Sequence, residues 1–237
     1  MIRKFALFSA ICRHTFGKVL LLLGGLGAGN AVLFLLQRPD SPTAVGYRLD
    51  ENAFFLLFAA VYLLLTFFLA RAMCDRGGRQ NWLLLRLRCS HGQIFLTHAA
   101  YNVLCYVLLF GVEVLSLLGL CVLSCRGAGP QTLLLICYRS DLLHSLFPLA
   151  DILSWAALGL QVLSLGIATA AYSAGNRFGK TSILSFFLAA GPLVYLYGNR
   201  AGSALDPTLP ICSILYCGML APICCFGAMT REVESDE

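Results

Sequence analysis

The chain has 237 residues, 59% of them hydrophobic and only 12% charged, with a formal net charge of +5. Soluble domains carry roughly 25% charged residues, so the composition excludes an ordinary soluble enzyme and predicts an all-α integral membrane protein. The positive balance carries no argument for nucleic-acid binding; how it is spread over the loops is the informative quantity.

Residues 1–18 read as an amphipathic helix. At about 100° per residue, Phe5, Phe8, Cys12 and Phe16 share one face, and Arg3, His14 and Lys18 take the other. That pattern suits an N-terminal helix lying in the cytoplasmic membrane interface; a plain extension of the first span is the alternative. Residues 19–229 then hold six apolar runs: Val19–Leu36, Ala53–Ala70, Val103–Cys125, Leu146–Tyr172, Ser182–Tyr197 and Ile211–Met229. A helix crosses the hydrocarbon core with about 20 apolar residues, so six transmembrane helices are expected. The fifth run is short and contains Pro192, and residues 230–237 form an acidic tail.

The first run contains Gly25 and Gly29, a GxxxG spacing that lets helix backbones approach. It is not a dinucleotide fingerprint, because Asn30 stands where the last glycine is needed. Outside the membrane, Gln37–Asn52 is a turn region, and Leu133–Ile136 with Leu142–Leu143 predict a segment resting on the bilayer surface. Eleven cysteines without a C-x-x-C pair give no support to a zinc or redox site. Small apolar packing is their simplest role, with one outer-face disulfide among Cys121, Cys125 and Cys137 left open.

Charge fixes the expected orientation. With both termini cytoplasmic, Arg3, Lys4, Arg13, Lys18, Arg71, Arg76, Arg79, Arg86, Arg88, Arg177, Lys180 and Arg231 lie inside. Arg38, Arg48, Arg126, Arg139 and Arg200 lie outside. This is the positive-inside bias. Five of the inside arginines fall between Arg71 and Gln93. There Gly77-Gly78 stops any helix, and 79–88 can form a short one, with Arg79, Trp82 and Arg86 together and leucines on several sides. Such a helix rests on anionic headgroups or docks a protein partner. Ser90-His-Gly-Gln93 then reads as a capping box for the third span, with Thr97, His98, Tyr101 and Asn102 as its wet cytoplasmic start.

The stretch Arg76-Gly-Gly-Arg-Gln-Asn-Trp-Leu-Leu-Leu-Arg-Leu-Arg-Cys-Ser-His-Gly-Gln-Ile-Phe-Leu96, set between the second and third of six spans, resembles the permease subunit of a type-2 ATP-binding-cassette exporter. The likeness covers the layout of the whole chain, but in residues only about positions 72–96. His98 stands near where that family usually has a lysine. The resemblance implies that 79–88 is the coupling helix, with Arg79, Trp82, Leu83, Arg86, Leu87 and Arg88 meeting a cytoplasmic ATPase. It further implies a homodimer or a pair with a second permease, in the plasma membrane. This chain would have no enzyme activity and no bound cofactor, ATP and magnesium residing on the ATPase. An amphipathic, lipid-like or peptide cargo would move outward. A non-transporting scaffold or accessory subunit is the alternative from another class.

Two apparent catalytic motifs are set aside. Ala174-Gly-Asn-Arg-Phe-Gly-Lys-Thr181 loosely matches a nucleotide-binding loop but joins two spans, without the strand and soluble domain that such a loop needs. Ala171-Tyr-Ser-Ala-Gly175 echoes a nucleophile elbow, but His144 and Asp151 belong to the opposite membrane face. Glu113 is the one acid well inside a span, and ionisable groups there usually face a bundle interior or wet pathway. Glu113 and Gln161 are therefore the expected lining of a translocation pathway; a structural hydrogen bond is the plainer role for Glu113.

Overall fold

The computed structural model describes residues 2–37, 44–71, 90–125, 130–148, 151–177, 190–198 and 208–230. The stretch 79–88 expected to form a short helix, residues 178–181 of the loop-like motif, residues 182–189 of the fifth apolar run and most of the acidic tail lie outside them. The described residues are helical throughout: α1 (Ile2–Leu36), α2 (Ala44–Leu49), α3 (Asn52–Arg71), α4 (His91–Ser124), α5 (Pro130–Arg139), α6 (Asp141–Leu146), α7 (Ile152–Arg177), α8 (190–198) and α9 (Thr208–Thr230). Five of them, α1, α3, α4, α7 and α9, are long and apolar enough to cross a membrane. The protein is a multi-pass integral membrane protein.

The side-chain contacts fix the register. Thr15 meets Tyr101 and Asn30 meets Glu113, so α1 and α4 run parallel. Phe58 packs on Phe110 and Tyr62 on Tyr106, so α3 runs antiparallel to both. Asn102 of α4 meets Thr169 of α7. Gln161 meets Ser213 and Ser164 meets Cys217, so α7 and α9 run parallel. Gly191 lies against Tyr216 and Gly198 against Leu209, which makes α8 antiparallel to α9.

Residues 2–36 form one unbroken helix. Its buried stripe is Thr15, Val19, Leu23, Leu26 and Asn30, while Phe16 faces outward. The third-span helix begins at the expected cap, twelve residues before the apolar run from Val103. Ser90 adopts extended backbone and its Oγ accepts from the Gln93 amide, as the first half of a capping box requires. The wet start is corrected: His98, Tyr101 and Asn102 are enclosed by neighbouring helices. The fourth span starts later than Leu146, because the chain leaves helix at Phe147 and restarts where Asp151 accepts from the amides of Leu153 and Ser154.

Of the two glycines in the GxxxG spacing, one is closely packed. Gly25 has open space around it, while an added Cβ at Gly29 would meet Leu57 of α3 at 2.8 Å. The tightest backbone approach is Gly166 of α7, whose Cβ would lie 3.0 Å from both the Ala99 carbonyl and the Val103 nitrogen of α4.

The short helices α2, α5 and α6 gather over the end of the bundle where α4 finishes. Asp50, just after α2, holds them together: its Oδ1 accepts from Ser140 Oγ at 2.8 Å and from the Leu142 amide at 3.1 Å. Ser140 in turn caps α6 by accepting from the Leu143 amide. Leu134, Leu135 and Tyr138 of α5 face outward, while Ile136 and Cys137 turn inward.

Candidate functional site, a polar seam between the helices

In an apolar bundle the informative atoms are the polar ones that cannot reach water, because each must find a partner or cost free energy. Here they follow one face of α4. His98, Tyr101, Asn102, Tyr106 and Glu113 follow one another at steps of three, one, four and seven residues, and all are buried. This spacing keeps them near one side of a helix.

Each rung but one is tied to a neighbour. Thr15 of α1 donates to the Tyr101 hydroxyl at 2.7 Å. Asn102 Nδ2 donates to Thr169 Oγ1 at 2.8 Å, and that hydroxyl donates onward to the Leu165 carbonyl. Tyr106 donates to Thr66 Oγ1 at 2.9 Å, and Thr66 donates back to the Tyr62 carbonyl of its own helix. The exception is His98, whose two ring nitrogens find no partner among the described residues. Above Tyr106 the seam is interrupted by Leu109 and by Phe110, which packs edge-on against Phe58 with centroids 5.4 Å apart.

Beyond that apolar layer lies Glu113, whose carboxyl is the one buried acid among the described residues. Asn30 Nδ2 donates to Glu113 Oε2 at 2.8 Å and to Ser116 Oγ at 2.9 Å, and Ser116 donates to the Glu113 carbonyl at 2.9 Å. Glu113 and Asn30 are both 0% exposed. Gln161, the second expected pathway residue, is buried on α7 and donates to Ser213 of α9. The two are thus not joined in one cluster: Glu113 serves the α1–α4 contact and Gln161 the α7–α9 contact.

Sequence reasoning singled out Glu113 and Gln161 but missed their partners. Asn30 entered only as the residue that spoils a nucleotide fingerprint. The available signal was an amide far inside an apolar run, which in lipid needs an interhelical partner. The Asn102–Thr169 and Tyr106–Thr66 bonds were hidden because a pair on separate helices leaves no spacing to read.

At the capped end, burial raises the Asp50 carboxyl above its ordinary range, opposed by the bonds from Leu142 and Ser140. Asp151 is held below its ordinary range by the Ser154 hydroxyl and the Leu153 amide. Cys121, Cys125 and Cys137 are buried free thiols, so the outer-face disulfide is not formed. Burial pushes the Cys137 thiol up, the opposite of what a reactive thiol needs. Ser173 and Asp151 stand at opposite ends of α7, about 33 Å apart at 1.5 Å per residue. Among the described residues no group of three His, Cys, Asp or Glu side chains could hold a metal ion. In comparison with known proteins, the chain matches no family model, no curated protein and no solved structure.

Proposed function

We propose that this chain is the membrane-spanning permease subunit of an ATP-driven exporter of the type-2 ATP-binding-cassette class. The observation that carries the reading is the Arg76–Leu96 sequence, a basic Leu-rich stretch between the second and third crossings. The register supports six crossings: α7 and α9 run parallel, so the chain between them has to return across the bilayer, and α8 is antiparallel to α9. Six crossings put both termini on one face, and the excess of Lys and Arg makes that face cytoplasmic. The capped end, with α2, α5 and α6, is then the outer one, and the membrane is the plasma membrane.

In this reading Arg79, Trp82, Leu83, Arg86, Leu87 and Arg88 dock an ATPase subunit, which holds the ATP and magnesium. Two membrane halves, identical or related, enclose the route of an amphipathic, lipid-like or peptide cargo. Glu113 and Gln161 act at helix junctions that repack as the halves tilt. Their pairing within one chain also favours a second reading, a non-transporting membrane scaffold, since a scaffold too spends its buried polar groups on joining helices. Affinity purification of the full chain from its native membrane separates the two. An exporter permease brings down an ATP-binding-cassette ATPase, loses it on Arg79→Ala, Trp82→Ala and Arg86→Ala substitution, and stimulates its ATP hydrolysis after reconstitution. Partners that include no ATPase, and that stay bound to the triple variant, sink the exporter reading in favour of the scaffold.

A further inference from the structure

The Asn30–Glu113–Ser116 cluster has a deficit of protons. Asn30 has two amide hydrogens, and both are spent, on Glu113 Oε2 and Ser116 Oγ. The Ser116 hydroxyl hydrogen is spent on the Glu113 carbonyl. Two acceptors are left over on the same pair of side chains, Glu113 Oε1 and Asn30 Oδ1, and neither has a partner among the described residues. Turning the amide over would set its oxygen against the carboxyl, which again demands a hydrogen between two oxygens.

Among the described residues no cation answers the carboxyl from the packed helices. On α1 the last basic residue is Lys18, about 18 Å along the helix from Asn30, where it sits over the Phe68 ring. On α3 the level of Glu113 is occupied by Phe54 and Phe55, with Tyr62 and Arg71 further along. On α7 the charged residues are Asp151 and Arg177, at its two ends. At the capped end, Asp50 and Glu51 beside α2, Cys137 and Arg139 on α5, and Asp141 and His144 on α6 lie past Leu117 and Cys121 of α4. An ionised carboxylate at this place would stand without a described counter-charge in apolar surroundings, which is costly.

We propose that Glu113 is a proton-binding site at the α1–α4 interface. With a proton on Oε1, Glu113 and Asn30 become a two-way acid–amide pair: the amide N–H donates to one carboxyl oxygen and the other carboxyl oxygen donates to the amide oxygen. One proton satisfies both leftover acceptors and removes the charge. A metal cation fits less well, because it needs several more oxygens than the two on offer. Loss of the proton leaves a bare carboxylate between α1 and α4 and weakens their contact, so proton occupancy is linked to how firmly the two helices hold. This inference stands on the cluster alone and does not require an ATPase partner.

The test is labelling of the full-length protein in its membrane with dicyclohexylcarbodiimide, which reacts with protonated carboxyls in apolar surroundings, read by mass spectrometry of the Glu113 peptide. At neutral pH Glu113 is expected to label at least about tenfold more than Glu51, the loop carboxyl held by Gln37, and to lose label as pH rises. Infrared spectroscopy of the unlabelled protein supplies a second measurement: a protonated-carboxyl band that Glu113→Gln removes. Labelling no greater than at Glu51, with no such band, overturns the proposal. Protection by sodium ions at fixed pH, without any effect of pH itself, assigns the site to a metal cation and overturns it as well.

Discussion

Replacing Asn30 with alanine removes two interhelical hydrogen bonds at once, to Glu113 and to Ser116. Interhelical hydrogen bonds in membrane proteins average about 0.6 kcal/mol and reach about 1.7 kcal/mol. Two of them place the expected destabilisation at about 1–3 kcal/mol, a factor of roughly 5–150 in the unfolding equilibrium. The pairwise share is isolated by a double-mutant cycle with Asn30→Ala and Glu113→Ala, measured by unfolding in mixed micelles of increasing denaturing-detergent content. A coupling energy of about 0.6–1.7 kcal/mol is expected between these neighbours. Glu113→Gln keeps an acceptor for the Asn30 amide, so it should cost far less than Glu113→Ala. A coupling energy below about 0.3 kcal/mol would refute the clamp, and a Gln variant as damaging as the Ala variant would refute the neutral carboxyl.

Three further outcomes are expected. Alanine should be harmless at Gly25, mildly costly at Gly29, where only the flexible end of Leu57 must yield, and most damaging at Gly166, where backbone of α4 stands in the way; thermal unfolding in detergent checks the order, and equal effects at all three would contradict it. Burial raises the Asp50 carboxyl, so its contribution to the closed cap is fully present below the ordinary value of 3.8 and is lost as pH rises through the folded-state value. Asp50→Asn should flatten that dependence in melts across roughly pH 3–6, whereas Asp151, held low, contributes in the opposite sense and loses its hold on α7 as pH falls. Ser140→Ala removes both the cap of α6 and a partner of Asp50; a loss of about 1–2 kcal/mol should show as faster labelling of Cys137 by a membrane-impermeant maleimide, and unchanged labelling would mean that the cap does not depend on this bond.

The legible part of this protein was what depends on a single helix. Composition announced a membrane protein, five of the apolar runs fall on helices long enough to cross a membrane, and Ser90 announced the start of α4 because a cap is a local device. Boundaries failed where chemistry mixes. The polar start of α4 looked wet from sequence, since nothing in Thr97–Asn102 tells that α1 and α7 will cover it. Leu146 looked like the beginning of a span because α6 is apolar too, and only Phe147, Pro148 and the Asp151 cap divide them. In the site, Glu113 stood out as a lone acid, but Asn30 and Ser213 became meaningful only when the register brought them across to partners on other helices. Gly166 was missed for the same reason: one glycine has no period, and its use appears only when Ala99 arrives against it.

The parallel pair α1 and α4 has a mechanical consequence. Thr15–Tyr101 and Asn30–Glu113 fasten the two helices at two points, separated by about 20 Å at 1.5 Å per residue. One bolt would leave a pivot; two leave a beam. Neither helix can swing against the other without breaking a fastening, and a slip of one turn, about 5.4 Å, breaks both. A displacement applied at the foot of this beam is therefore delivered to its far end, under the cap, with little lost to bending between the two bolts.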